Sequence, residues 1–466
     1  MNTTRGKPNI VFILSDDQGA WALGCAGNPD VRTPHLDRLA ASGVRCENFF
    51  CTSPVCSPAR ASLFTGKIPS QHGVHDWIAA GNMGEDAIEY LSGQTAFTDV
   101  LADNGYTCGM SGKWHLGKSE QPQKSFKHWF VHERGGGPYY GAPMIRDGER
   151  VTEDGYITDV ITNDGIDFIR AHADQNEPFY LSVHYTAPHD PWIGQHPQHL
   201  VDSYADCEFS STPQEETHPW SIPNAPGADH PRESLQGYYA SITAMDDNIG
   251  RILDTLEETG VRDNTLVIFL SDNGFNCGHH GIWGKGNGTY PQNMYDTSVK
   301  VPAIWSQPGR IAAGVVTDEL MSGYDVMPTL LDYTGFAHYV PDDLPGESMV
   351  PILEGRTTGG RDQVVIYDEY GPVRMIRTKR WKYVHRYPDG PHELYDLQHD
   401  SSESANKIAD AQYEPLVEKM RAQMEQWFDT YAEPEMVGVD QPVTGLGQTG
   451  VVGQKNYSKQ VFNQYD

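Results

Sequence analysis

Asn9-Ile10-Val11-Phe12-Ile13-Leu14, followed at once by Ser15-Asp16-Asp17, decides the fold. An unbroken apolar run of that length reads as a strand buried on both faces, the kind found inside a parallel sheet. The construction recurs at Thr265-Leu266-Val267-Ile268-Phe269-Leu270, which ends in Ser271-Asp272-Asn273-Gly274. Residues 107–111 lead likewise into Gly112-Lys113-Trp114-His115, and residues 179–185 end at Pro188-His189-Asp190-Pro191. Helical patterns lie between them at 36–42, 95–104, 157–172 and 236–259, the last with Ile242, Met245, Ile249, Ile252 and Leu256 on one face. Strands alternating with helices, with chemistry at strand C-terminal ends, predict an α/β fold built on a large, mostly parallel sheet flanked by helices.

The texture changes after about residue 360. Short strands are expected at 364–367, 373–378, 381–385 and 393–396, joined by tight turns into a small antiparallel sheet. A helix over 413–431 follows, and residues 433–466 are Gly- and Gln-rich with little hydrophobic drive. The expected organisation is a catalytic α/β domain over 1–360, an antiparallel-sheet subdomain with a helix over 361–432, and an extended tail wrapping the body or a neighbour. Residues 205–232, rich in Pro, His, Ser and Glu, read as a long surface excursion.

Lys and Arg number 34 against 63 Asp and Glu, a formal net charge of −29. So acidic a chain repels nucleic acid and anionic membrane surfaces, and neither is expected as a partner. It also repels an anionic substrate at long range, so any anion site must be a local cluster of cations set against the overall field. No stretch approaches the ~20 apolar residues of a membrane span, and the short run after Pro8 does not read as an export signal. A cytoplasmic location is the expectation. The 7 cysteines show neither disulfide nor zinc spacing, and all but one read as reduced structural thiols.

The exception is Cys56-Ser57-Pro58-Ala59-Arg60, running on through Ser62-Leu63-Phe64-Thr65-Gly66. Pro58 suits the first position of a helix and Ser57 can cap its free N–H groups. Cys56 then lies at a helix N-terminus that favours anions, with Arg60 one turn on and able to point back at the same anion. The plainer reading is a buried cysteine at a helix start. Asp16, Asp17, Asp272 and Asn273 offer hard oxygen ligands suited to Ca²⁺ or Mg²⁺ and poorly suited to zinc, although such pairs also serve as turns and caps. Lys113 and His115 alternate by two after a strand, so both side chains can face one cleft.

Cys56-x-Pro58-x-Arg60 continuing to Phe64-Thr65-Gly66 resembles the signature of the type I sulfatases, of the alkaline phosphatase-like superfamily, and the likeness covers roughly residues 7–397. The resemblance implies that Cys56 is oxidised by a maturation enzyme to formylglycine, whose hydrate attacks sulfur. It implies a divalent cation, generally calcium with magnesium possible, on Asp16, Asp17, Asp272, Asn273 and the modified Cys56. Arg60, Lys113 and Lys285 would neutralise the sulfate, His189 would protonate the leaving alcohol, and His115 would take the proton that releases sulfate. Asp296 and Lys300 stand where the family usually carries glutamate and arginine.

The alcohol half of the substrate is less marked. Asp76 and Trp77 are candidates to bind and stack on a sugar ring, although core packing and a turn explain them equally well. His184, Arg374, Trp220 and His392 are further candidates. The leading expectation is an exo-acting enzyme that removes sulfate from a small mono- or oligosaccharide. An arylsulfatase or phosphonate/phosphate ester hydrolase with the same core, and a non-catalytic binder of sulfated glycans with an unmodified Cys56, are the alternatives.

Overall fold

The computed structural model describes residues 7–356, 366–453 and 461–465. Its main sheet has ten strands: β1 (Asn9–Ser15), β2 (Val44–Phe50), β3 (Thr107–Gly112), β4 (His128–His132), β5 (Ala142–Arg146), β6 (Glu149–Glu153), β7 (Phe179–His184), β8 (Thr265–Ser271), β9 (Ala303–Ser306) and β10 (Val315–Ser322). They lie in the order β10-β2-β9-β8-β1-β7-β3-β4-β5-β6. The middle, β8-β1-β7-β3-β4, is parallel throughout. The flanks are mixed, because β9 runs antiparallel to both β2 and β8, and β5 to both β4 and β6.

β1 shows why its run of apolar residues had to be central. Ile10, Phe12 and Leu14 pack on one face with Leu63 and Phe64 of the helix Cys56–Thr65, with Phe97, and with Leu330. Val11 and Ile13 pack on the other face with Ile161 and Phe168 of the helix Ile157–His172 and with Met245 and Ile249 of the helix Pro231–Glu258. Both faces are sealed, and period-2 alternation sends successive side chains into two separate cores.

Register then fixes the site. Ser15 pairs with Ser271, Leu14 with His184, and His184 with Gly112. Four neighbouring parallel strands therefore end at one level, and the segments after β1, β8, β7 and β3 emerge side by side, as expected at the carboxyl edge of an α/β sheet.

The second sheet, β11 (Ile366–Tyr370), β12 (Val373–Arg377), β13 (Trp381–Arg386) and β14 (Glu393–Asp396), is antiparallel in chain order. Of the strand expected at 364–367, residues 366 and 367 belong to β11, which runs to Tyr370; residues 364, 365 and the boundary at 360/361 lie outside the described residues. The helix Glu414–Tyr431 buries Met420, Met424 and Phe428 against Ile376, Tyr383 and Leu394. After it the chain returns across the main body, where Gln448 bridges Ile78.

Two local expectations change. The helix at the cysteine motif starts at Cys56 itself, with Val55 as N-cap and no side-chain cap, so Pro58 falls two residues inside it. The Ser57 hydroxyl is used elsewhere, donating to the His115 carbonyl at 2.9 Å and accepting from the Ile78 N–H at 3.1 Å.

Candidate active site

Cys56 is buried at the floor of a cavity of about 610 Å³ whose walls carry Asp17, His115, His189 and Lys285. The thiol stands 3.4 Å from Asp16 Oδ1 and 2.8 Å from Lys285 Nζ. Burial and the Asp16 carboxylate push its pKa up to about 12, so the thiol is protonated and inert in this setting. Lys113 and Lys285 pull the other way, but burial and the Asp16 charge outweigh them.

Around it, charges pair closely. Lys113 Nζ contacts Asp16 Oδ2, and Lys285 Nζ contacts Asp17 Oδ1. Arg60 donates from Nε to Asp272 Oδ2 at 2.8 Å and from Nη1 to the Lys113 carbonyl at 2.7 Å, and its Nη2 lies 2.8 Å from the same Asp272 oxygen as an ion pair. Arg60 thus sits behind the carboxylates and reaches the anion site only through them, whereas the sequence placed it toward the anion directly. Three carboxylates (Asp16, Asp17, Asp272) face three cations (Arg60, Lys113, Lys285), all buried. Although burial alone would raise it, the pKa of Asp16 is held well below the usual carboxylate range, by Lys113 foremost and then by His189, Arg60 and Lys285. Asp272 moves the other way, to about 6, through burial and the neighbouring Asp16 charge.

One oxygen from each of Asp16, Asp17 and Asp272 lies within 4.8 Å of the others. Asn273 donates its Nδ2 to Asp17 Oδ1 at 2.7 Å, which leaves its own Oδ1 buried beside them without a partner among the described residues. An orphaned buried carbonyl next to three carboxylates is the donor set of a hard divalent cation, and the residues fit such an ion. Asp17 adopts a left-handed backbone (φ 64°), as does His115 (φ 56°), a strain of about 1–3 kcal/mol each that persists where surroundings over-determine it.

His115 reaches the cavity because Gly112 turns the chain at φ 109°, where a Cβ would lie 1.9 Å from the His184 carbonyl oxygen. Its Nε2 donates to the Ile78 carbonyl at 3.1 Å, an acceptor-only partner, so Nδ1 carries the lone pair; Nδ1 is buried with no partner among the described residues. Burial, with Lys113 and Arg60, holds the ring's pKa well below the ordinary histidine value. It is a neutral proton acceptor. His189 is oriented by Nδ1–H donation to the Asp190 carbonyl at 2.7 Å, which turns Nε2 toward Asp17 Oδ2 at 3.7 Å.

Of the substrate candidates, Trp77 lines the cavity. Asp76 is fully buried behind it and accepts from the Tyr370 hydroxyl and from the N–H groups of Trp77, Gly445 and Gly447. His184 lies under the site between Phe12 and Phe64, its Nδ1 facing the Lys113 carbonyl. Arg374 is buried over Phe428 in the second sheet, and His392 stacks on His385 there. Trp220 lies under the Arg386 guanidinium. These five are not among the cavity's lining residues, because each is taken up by packing or by holding backbone. The cavity adds Asn82, Asn287 and the loop Arg134-Gly135-Gly136-Gly137, whose run of three glycines was the available sequence signal.

A family model described as Sulfatase matches residues 8–336, and one described as N-sulphoglucosamine sulphohydrolase, C-terminal, matches residues 278–430. An N-acetylglucosamine-6-O-sulfatase of Bacteroides thetaiotaomicron is 30% identical, over 87% of this chain and 84% of its own length. A choline-sulfatase of Rhizobium meliloti is also 30% identical, over 86% and 83%. Among solved structures, one in complex with its substrate D-glucosamine-2-N,6-O-disulfate superposes with a TM-score of 0.79 at 26% identity, covering 93% of this chain and 100% of that one.

Proposed function

The chain belongs to the sulfatase family and hydrolyses sulfate esters, and from that premise we propose that it removes a terminal sulfate from a sulfated sugar, with Cys56 matured to formylglycine and calcium held by Asp16, Asp17, Asp272 and Asn273. The observation that carries this reading is the burial of Cys56 at the floor of a cavity large enough for a sugar, between three cations and beside His115 and His189. Relatives named for amino-sugar sulfate esters favour a carbohydrate over other alcohols.

When present, the matured residue supplies a hydroxyl to attack sulfur, and the cation polarises that hydroxyl and the ester oxygens. Lys113 and Lys285 hold the sulfate oxygens by charge where negative charge shifts in the transition state. His189, on the exposed side, would act with both ring nitrogens protonated, since Nδ1–H is held by the Asp190 carbonyl, and would give its Nε2 proton to the departing alcohol oxygen. His115, neutral with a free Nδ1, accepts the proton whose removal lets sulfate leave. Arg60 holds Asp272 and the Lys113 carbonyl in place and so fixes the cluster's geometry.

The test is a panel of singly sulfated monosaccharides, an aryl sulfate and a phosphonate ester of one alcohol, read as released sulfate or phosphonate, with the mass of the peptide spanning Cys56 measured on the same sample. A lighter Cys56 peptide and preferred turnover of one sugar sulfate support the proposal. Faster turnover of the phosphonate, or full activity with an unmodified thiol, overturns it.

A further inference from the structure

Residues 433–453 lie beyond both family matches, yet they return to the cavity. Gln448 runs along the cavity wall like an added strand: its N–H donates to the Trp77 carbonyl at 2.7 Å, and its carbonyl accepts from the Ala79 N–H at 2.9 Å. Its side chain accepts the His75 N–H at 2.8 Å and donates to the Gly73 carbonyl at 3.0 Å. Asp76 closes the clasp from the other side, taking the Gly445 and Gly447 N–H groups on Oδ2 at 3.1 and 3.0 Å and the Tyr370 hydroxyl on Oδ1 at 2.6 Å. The Gly445 carbonyl, held this way, accepts from Trp77 Nε1 at 2.9 Å and from Asn287 Nδ2 at 3.2 Å. Trp77 and Asn287 both line the cavity and come from segments 210 positions apart, 287 less 77. One carbonyl of the tail sets them both.

We infer that the C-terminal tail, through the Asp76–Gly445–Gln448 clasp, builds the subsite for the alcohol half of the substrate, and that this subsite takes a rigid hydroxylated ring. An indole held by its N–H presents a fixed apolar face, and a neighbouring amide supplies hydrogen bonds; that pairing suits a pyranose, whereas a short alkyl group covers little of the face and makes no hydrogen bond. Ile78, which orients His115, has a separate anchor in the Ser57 hydroxyl, so the sulfate end of the site is secured without the tail. Asp76, Gly447 and Gln448 are positioning residues. At Gly447 (φ 106°) an added Cβ would lie 2.6 Å from the Ala79 side chain and 3.0 Å from the Trp77 ring, so the tail lies flat on the wall only with glycine there.

The inference rests on the sugar-sulfate reading, and two measurements on the full-length matured enzyme keep the two apart. Asp76→Asn faces at least two of the converging donors with an amide N–H₂, and Gly447→Ala lifts the tail without touching that carboxylate. In each, hydrogen exchange of the peptide spanning 75–79 is expected to rise about tenfold while the peptide spanning 9–15 stays protected, in keeping with loss of a buried hydrogen bond or two. KM for a sugar sulfate is expected to rise about tenfold with kcat little changed, while both constants for a short alkyl sulfate stay put. Unchanged exchange in both variants overturns the clasp. Equal losses on sugar and alkyl sulfates, with exchange raised, overturn its role in the ring subsite. Failure of the wild type on every sugar sulfate sinks the sugar reading and the ring subsite with it, and exchange still decides the clasp.

Discussion

At Cys56 the surroundings fit a residue meant to be changed: the thiol is buried, protonated and 3.4 Å from a carboxylate, which suits neither a thiolate nucleophile nor a redox sensor. Cys56→Ala is therefore expected to keep the fold and lower sulfate release by about 10³-fold or more, as loss of a nucleophile does; circular dichroism and ion chromatography of freed sulfate check the pair of outcomes. The carboxylate cluster gives a second prediction. Ca²⁺ that binds the folded state alone raises its stability by RT ln(1 + [L]/Kd), about 2.7 kcal/mol at 100 Kd. The melting temperature should climb with added calcium, and the climb should vanish in Asp272→Asn and shrink in Asn273→Ala. A wild-type melting temperature that does not move with calcium would remove the ion from the proposal. Asp16, Asp17, Asp272 and Asn273 were legible because each pair directly follows a strand, and Cys56 because its motif is contiguous. Asp76, His184 and Arg374 misled the sequence reading because residue type says that a group is polar but not which way it faces. All three side chains are consumed by local hydrogen bonds or ring packing.

The two sheets are joined by a charge cluster at the element scale. Asp296, in the short helix Asp296–Val299, pairs with Arg377 of β12 at 2.9 Å and Lys382 of β13 at 2.9 Å, while Glu403 pairs with Lys382 at 2.6 Å and accepts the Asp296 N–H. Burial works against its ionisation, but Arg377 and then Lys382 hold the Asp296 pKa below the usual carboxylate range. Its contribution to stability is present above the unfolded-state value of about 4 and is lost as pH falls through that region toward the lower folded value. Asp296→Asn leaves two buried cations short of a partner and is expected to cost about 3–5 kcal/mol, seen as a lower denaturant midpoint. Asp296→Glu keeps the charge and should recover most of it, and if Asn and Glu behave alike, the cluster does not hold the sheets together. The same scale shows what sequence patterning reaches. β1, β8 and the helix Ile157–His172 were legible because their burial makes period and composition agree. β2 was missed because Arg45 and Glu47 interrupt it, and the hairpin β5–β6 because Glu149–Glu153 is largely exposed and carries no apolar stripe. The tail's seat was out of reach for a different reason: Gly445 meets Trp77 across 368 positions, and no local pattern encodes such a contact.

On the scale of the whole molecule, the active site works against the protein's own field. The net charge is −29, and the substrate is an anion, yet the two lysines that would receive it, and Arg60 behind them, are buried and paired with carboxylates. Such pairs project little field beyond the cavity, so approach is governed by the surplus acidic surface. Salt shortens the Debye length from about 30 Å at 0.01 M to about 10 Å at 0.1 M, which removes long-range repulsion while leaving contacts at the cavity floor mostly unscreened. The expected outcome is a kcat/KM that rises a few-fold over that range for a sulfate monoester, with kcat nearly constant and a steeper rise for a disulfated substrate. Arg134 at the cavity wall, 72% exposed and loosely placed against Glu133 at 3.9 Å, is the residue positioned to oppose this trend. Arg134→Gln should steepen the rise further. A kcat/KM that falls with salt in the wild type would show that a local positive field at the mouth outweighs the acidic body, and the Arg134→Gln variant would then flatten the fall.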